Sequence, residues 1–199
     1  SRSKDKLITP DKFSTKGKNG SDDYQLSTAK TIYTDYQARL EAANALDFDD
    51  IIMLTVKLFA QCPDVLSHWQ NRFKYIMVDE YQDTNAAQYK LVSLLAEGSG
   101  NLCVVGDEDQ SIYGFRGAFP QSLLAFKETW PQGEVLLMET NYRSTRQIVD
   151  KANAFIKLNH ERYQKEMKVP DGSGFTGVPI AREWVKSSEA QYQLIIEAI

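Results

Sequence analysis

The residues in this sequence best suited to chemistry sit directly behind two short apolar runs. The first set is Val78-Asp79-Glu80-Tyr81-Gln82-Asp83, which follows Tyr75-Ile76-Met77. Carboxylates placed just after a buried strand stand at the carboxyl edge of a sheet, where open α/β folds bind their ligands. Neighbouring positions there point different ways, so two acids can divide the labour of a nucleoside triphosphatase site. Asp79 would hold a magnesium ion, through water, and Glu80 would orient and deprotonate the attacking water. An acidic helix start that exploits the helix dipole accounts equally well for two acids alone.

A second apolar run ends at Val105 and is followed by Gly106-Asp107-Glu108-Asp109-Gln110-Ser111-Ile112-Tyr113-Gly114-Phe115-Arg116-Gly117-Ala118. The glycines let backbone approach a ligand, and Gln110 has an amide suited to a phosphate oxygen. Tyr113, Phe115 and Arg116 offer stacking surface and charge of the kind that holds single-stranded bases. A polar loop with two inward aromatics would explain any one of these residues but explains the whole set poorly.

The elements that must position these groups follow from periodicity. Leu26, Ala29, Tyr33, Tyr36, Leu40 and Ala43 recur at intervals of three and four, which predicts one long amphipathic helix, and a second helix is expected over 49–60, stopped by Pro63. Residues 75–78 and 102–105 read as strands, with a helical stripe of Ala87, Leu91, Leu94 and Leu95 between them, closed by Gly98. Strand, helix and strand in about 30 residues is a parallel crossover unit. Pro120 is expected to open a helix with Leu123, Phe126 and Trp130 on one face, and Val135-Leu136-Leu137-Met138 to form a third strand. The fold class is α/β. Beyond it, Ser144-Thr145-Arg146-Gln147 has the form of a capping box opening a helix with Ile148, Ala152, Phe155 and Ile156 inward. Residues 178–185 suit a strand, and Ser188-Glu189-Ala190-Gln191 suits the cap of a final helix that reaches the chain end.

The 199 residues are 42% hydrophobic and 11% aromatic, with 27 acidic and 23 basic side chains and a formal charge of −4. This is globular composition for one to two domains, and it excludes disorder throughout. No apolar run approaches the roughly 20 residues of a membrane span, and the N-terminus has no signal-peptide core. Cys62 and Cys103 stand 41 positions apart with only His68 and His160 beside them in composition, so neither a disulfide framework nor a zinc site is expected, and a reducing cytoplasm is. Acidity overall does not exclude nucleic acid, because basic charge clusters locally: six Lys or Arg against two Asp in 1–20, and seven against three acids in 141–168.

Three segments carry a resemblance to a known family. Asp-Glu-Tyr-Gln-Asp-Thr-Asn at 79–85, Gly-Asp-Glu-Asp-Gln-Ser-Ile-Tyr-Gly-Phe-Arg-Gly-Ala at 106–118 and Asn-Tyr-Arg-Ser at 141–144 resemble motifs II, III and IV of the UvrD/Rep-type superfamily 1 DNA helicases, in order and in spacing. Leu46-Asp47-Phe48-Asp49-Asp50 and the Ser-Lys-Asp opening with Pro10 after it are similar to that family too, so the likeness covers nearly the whole chain. It implies an ATP-driven motor that moves 3′ to 5′ along single-stranded DNA and unwinds duplex junctions, with ATP between two RecA-like domains and service in repair or replication. Carried over, Asp79 becomes the magnesium carboxylate and Glu80 the catalytic base. Gln110 becomes the γ-phosphate sensor, and Tyr113, Phe115 and Arg116 the strand contacts. Tyr142 would stack on adenine, and Arg143 would be an arginine finger, its planar guanidinium matching phosphate oxygens.

The sequence departs from the family in two ways. A phosphate-binding loop needs Gly, four residues, Gly, Lys and then Ser or Thr, so that amides cradle the phosphates. The Gly17-Lys18 pair has Lys12 in place of the first Gly and Asn19 in place of the hydroxyl. Phe115 also stands where the family commonly has Trp, which keeps a stacking face of smaller area. The expectation is therefore a truncated helicase that is inactive by itself. It would comprise the tail of a helical insertion over 1–45, the second half of the first RecA-like (P-loop NTPase) domain over 46–140 and the start of the second RecA-like domain over 141–199. Unpaired strand edges in such a sheet predispose it to dimerise. Two other readings of the same residues are the helicase subunit of a recombination helicase-nuclease and a non-hydrolysing DNA-binding module.

Overall fold

The computed structural model describes residues 2–17, 19–114, 117–118, 121–170 and 184–198. They fall into two compact units, Ser1–Glu134 and Val135–Ile199. In the first unit, Asp23 opens α1 (Tyr24–Ala42) by accepting the N–H groups of Gln25 and Leu26 on its side chain, the usual remedy for orphan donors at a helix start. Asp47 and Asp50 form a reciprocal capping box at α2 (Phe48–Gln61), which stops before Pro63. Pro63 then serves as the first residue of α3 (Pro63–Arg72), a helix the sequence reading did not anticipate although proline favours that position.

Strands β1 (Ile76–Val78) and β2 (Leu102–Val104) pair in parallel, Ile76 with Leu102 and Val78 with Val104, and α4 (Ala86–Ala96) crosses between them. The expected crossover unit is present. Val56 and Phe59 of α2 meet Leu94 of α4 in the core, with Val65, Leu66 and Trp69 of α3 and Leu7 of the N-terminal segment packed around them. The pair of strands is covered on one face only: Met77 is 77% exposed, and its partner Cys103 is exposed as well. Val78 and Val104 are half-buried, so these strands are not buried on both faces as their apolar sequence suggested.

The segment before α1 is tied into this core by charge. Lys4 is 1% exposed, and its Nζ lies 2.7 Å from Asp47 Oδ2 and 2.8 Å from Asp50 Oδ1. The neighbouring Asp5 accepts from Asn85 Nδ2 at 2.9 Å, which joins it to the start of α4. Burial, and secondarily the nearby charge of Asp49, push the Asp5 carboxyl above its usual range. An acid whose folded pKa is raised opposes folding at neutral pH and ceases to do so as pH falls through that value. Asp5→Asn keeps an oxygen that accepts from Asn85 and removes the charge. The variant is expected to melt higher than wild type at pH 7 and to lose the advantage near pH 3, and a lower melting temperature at pH 7 overturns this reading.

Helix formation beyond residue 120 differs from expectation. Instead of one helix there are two short turns, α5 (Gln121–Leu124) and α6 (Phe126–Thr129), because Ala125 O accepts from both Glu128 and Thr129 and tightens the chain there. Leu123 and Phe126 are buried, and Trp130 is half-buried.

In the second unit, residues 135–138 form no strand. A strand is defined by its partner, and this run has none among the described residues: Leu136 and Met138 are exposed, and the pairing falls two residues later, as a parallel bridge between Thr140 and Lys168. Helix α7 (Arg146–Ile156) starts from Thr145, which makes no side-chain cap, one residue beyond the Ser144 at which the capping pattern opens. Asn141 takes over, its Oδ1 accepting from the N–H groups of Arg143 and Ser144. The inward face of α7 is Val149 and Asn153 rather than Ile148 and Phe155, which are exposed. Asn153 explains the difference, since its amide exchanges two hydrogen bonds with the backbone of Met167 and acts as a strand partner that an apolar count overlooks. Helix α8 (Ser188–Ala198) takes its side-chain cap from Ser187, which accepts from Ala190 N–H, one residue earlier than expected. The strand expected over 178–185 lies mostly outside the described residues.

Candidate functional site

Because β1 and β2 run parallel, their carboxyl ends emerge at one edge. The ladder continues past the strands, with Val105 N–H donating to Val78 O at 2.8 Å and Tyr81 N–H to Val105 O at 3.0 Å. This brings Asp79 and Glu80 beside Gly106 and Asp107. Asp79 Oδ1 accepts from Glu80 N–H at 2.8 Å, which fixes its carboxylate against its own turn. Glu80 has φ 51°, a left-handed conformation costly for a residue with a side chain, and it starts the 3-10 turn Tyr81–Asp83. Both carboxylates are exposed, whereas Tyr81 and Gln82 behind them are each 1% exposed. Burial pushes the Tyr81 hydroxyl up to about 12, so it stays neutral at physiological pH.

Gln82 joins the two strand ends. Its Nε2 donates to Glu80 Oε2 at 2.7 Å, and its Oε1 accepts from Asp107 N–H at 3.0 Å. The orientation of the amide follows from chemistry: a backbone N–H needs an oxygen, which leaves the nitrogen for the carboxylate. Gly106 is required at this point. A Cβ there would lie 2.7 Å from Gln82 Oε1 and 3.3 Å from the backbone nitrogens of Tyr81 and Gln82. The close approach is thus to Gln82, rather than to a ligand.

Asp107 accepts from Asp109 N–H and caps the 3-10 turn Glu108–Gln110. Gln110 Nε2 donates to Asp107 Oδ2 at 2.7 Å, and Ser111 Oγ donates to Gln82 O at 3.3 Å. Tyr113 follows, 38% exposed, its carbonyl oxygen accepting from Ala118 N–H at 3.3 Å. Phe115 and Arg116 lie outside the described residues. An open cleft of about 390 Å³ adjoins this edge, lined by Asp79, Glu80, Asp83 and Thr84 on one side and by Gln88, Leu91 and Val92 of α4 on the other. Tyr142 and Arg143 belong to the second unit, where the Asn141 turn presents both; Tyr142 is 73% exposed.

Of the residues proposed from the sequence, Asp79, Glu80, Gln110 and Tyr113 stand on these two strand-end loops; Gln82, Asn85 and Asp83 were not among those proposed. Asn85 caps α4 in a reciprocal box with Gln88. Asp83 Oδ1 is buried and has no hydrogen-bond partner, unusual for an acceptor beside a cleft. Spacing offered no sign of Gln82 as a bridge, since its second partner is 25 residues away.

A parallel crossover with two acids at the first strand end and a polar, glycine-punctuated loop at the second is the arrangement of an N-terminal helicase domain. Residues 1–131 match the model of the UvrD/REP helicase N-terminal domain, and the chain belongs to that family. It is 51% identical over 152 residues to the ATP-dependent DNA helicase PcrA of Staphylococcus aureus (strain Mu50), covering 76% of this chain and 21% of that protein. It is 45% identical over 189 residues to the ATP-dependent DNA helicase PcrA of Staphylococcus epidermidis (strain RP62A), covering 95% of this chain and 25% of that protein. The chain spans about a fifth to a quarter of the length of these relatives.

Proposed function

We propose that this chain is part of an ATP-driven motor that translocates 3′ to 5′ on single-stranded DNA and unwinds duplex junctions, in repair or replication and in the cytoplasm. The observation that carries the reading is the convergence of Asp79, Glu80 and the Gln110 loop on one edge of a parallel strand pair. In this reading, residues 1–45 close a helical insertion, 46–140 complete the first RecA-like domain and 141–199 begin the second.

Glu80 takes the proton of the attacking water and Gln110 reads the γ-phosphate. Tyr142 stacks on adenine, and Arg143 stabilises the charge of the transferring group. Tyr113, Phe115 and Arg116 bind successive bases by stacking and charge. The donors at the edge suit magnesium: they are hard carboxylate oxygens, and the orphaned Asp83 Oδ1 is an acceptor that a hydrated cation would satisfy. Asp79, with Asp83 beside it, would hold the ion, which when bound neutralises phosphate charge. The outer edge of β1, unpaired among the described residues, and exposed Met77 favour association of isolated copies of this chain.

The test compares the full-length protein that carries this chain with the 199 residues alone. The full-length protein is expected to hydrolyse ATP faster with single-stranded DNA and to open a duplex bearing a 3′ tail but not one bearing a 5′ tail. The 199 residues, whose sequence contains no phosphate-binding loop, are expected to release no phosphate above background. Displacement from the 5′ tail alone, or DNA-stimulated turnover by the 199 residues, overturns the reading.

A further inference from the structure

We infer that Gln82 is a positioning residue that couples the carboxylate of Glu80 to the loop carrying Gln110 and Tyr113, so that DNA held on that loop sets the orientation of the base. The inference rests on the proposed role of Glu80 and goes beyond it by naming the group through which the two strand ends communicate.

Four observations converge on it. Gln82 is almost wholly buried, yet every polar atom of its side-chain amide is used across the two motifs, toward Glu80 at 2.7 Å and toward Asp107 at 3.0 Å. The path continues without a gap: the residue whose N–H it accepts holds Gln110 at 2.7 Å through its own carboxylate. Ser111 grips the backbone oxygen of Gln82 from the same loop. Finally, position 106 has no room for a side chain, because the Gln82 amide occupies it. A displacement of the loop by a fraction of an ångström therefore cannot leave Gln82 in place, and Gln82 cannot move without releasing Glu80. Glu80 sits in a left-handed conformation that a released side chain does not favour, so its alignment depends on this support.

A purely structural glutamine would affect stability and every activity together. A positioning glutamine affects the chemical step and its response to DNA and leaves ATP binding alone. The test uses the full-length protein that carries this chain, with Gln82→Met, which keeps the bulk and loses both hydrogen bonds. Turnover with saturating single-stranded DNA is expected to fall by about tenfold or more, with KM for ATP within about twofold of wild type and the ratio of DNA-stimulated to DNA-free turnover reduced toward one. In single-turnover hydrolysis, Gln82→Met is expected to add little to Glu80→Gln, because both act through one carboxylate.

If Gln82→Met melts too low for kinetics, Gln82→Asn decides. It remains an uncharged amide but is one methylene too short to reach Glu80 and Asp107 together, and the same fall in turnover is expected in the folded variant. Wild-type turnover and DNA stimulation in the folded variant, or strict additivity with Glu80→Gln, overturn the inference while leaving the helicase reading intact. Wild-type hydrolysis in Glu80→Gln itself overturns the assignment of the base, and the coupling with it.

Discussion

Replacing Glu80 by Gln in the full-length protein that carries this chain is expected to lower ATP hydrolysis by roughly 10²–10⁴-fold while leaving ATP affinity within a few-fold of wild type. That loss corresponds to about 2.7–5.5 kcal/mol of transition-state stabilisation. The amide has the shape of the carboxylate and still accepts from Gln82 Nε2, but it does not take a proton from water. The role proposed for its neighbour is different. Asp79 spends one oxygen on Glu80 N–H, which pins it to the turn, whereas Glu80 projects from a left-handed residue at the sheet edge. Asp79→Asn is therefore expected to weaken magnesium-dependent nucleotide binding first, seen as a larger KM and a higher magnesium requirement. Direct binding of a fluorescent ATP analogue with and without magnesium checks both. Equal loss of affinity in the two variants would falsify the division of roles.

What the sequence revealed of this site divides along a physical line. Candidate residues are legible where their types are unusual for their place: two acids behind an apolar strand, or two aromatics and an arginine among glycines. Asp79, Glu80 and Tyr113 are exposed or nearly so, as that reading requires. Residues that act on other residues are not legible, because their meaning lies in a partner distant in sequence. Gln82 looks like a polar loop residue until Asp107 is beside it, and Asn153 interrupts an apolar stripe until Met167 is.

The same division holds for the elements. The crossover unit was legible because β1, α4 and β2 each carry their own pattern and the connection is local. Residues 135–138 are apolar and rich in strand formers, but pairing is a property of two segments, and the partner bridge falls at Thr140 and Lys168. Two capping boxes were missed for a related reason. The pattern sought was Ser or Thr followed by Glu or Gln, which passes over the reciprocal boxes of Asp47 with Asp50 and of Asn85 with Gln88. Asp47 and Asp50 stood in the sequence only as part of a stretch similar to the helicase family, and the buried Lys4 shows their structural use.

That lysine carries the largest stability prediction for the 199-residue chain. Asp50 is 0% exposed, and with Lys4→Met its remaining side-chain contacts are Gln37 Nε2, at 3.4 and 3.5 Å, and the Asp47 N–H at 3.3 Å. An uncompensated buried charge costs about 3–5 kcal/mol, a large fraction of the roughly 5–15 kcal/mol that holds a domain together. At about 2–4 °C per kcal/mol for a chain of this size, the melting temperature should fall by roughly 6–20 °C. The loss is expected to depend on pH with a definite sign. Burial alone would pull the Lys4 ammonium down, but the hydrogen bonds and charges of Asp47 and Asp50 outweigh it and hold the group above its usual value. Burial alone would raise Asp47, and the hydrogen bonds from Lys4, Asp50 N–H and Tyr36 hold it below its usual value. A raised base stabilises below its unfolded pKa and a depressed acid above its own, so the gap between wild type and Lys4→Met should be widest and flat between about pH 5 and pH 9. It should narrow as pH falls through the depressed Asp47 value, and again as pH rises through the raised Lys4 value. Urea melts of both proteins across pH 3–11 check the prediction, and a gap under about 1 kcal/mol at pH 7 would show that the ion pairs only decorate a segment anchored by Leu7.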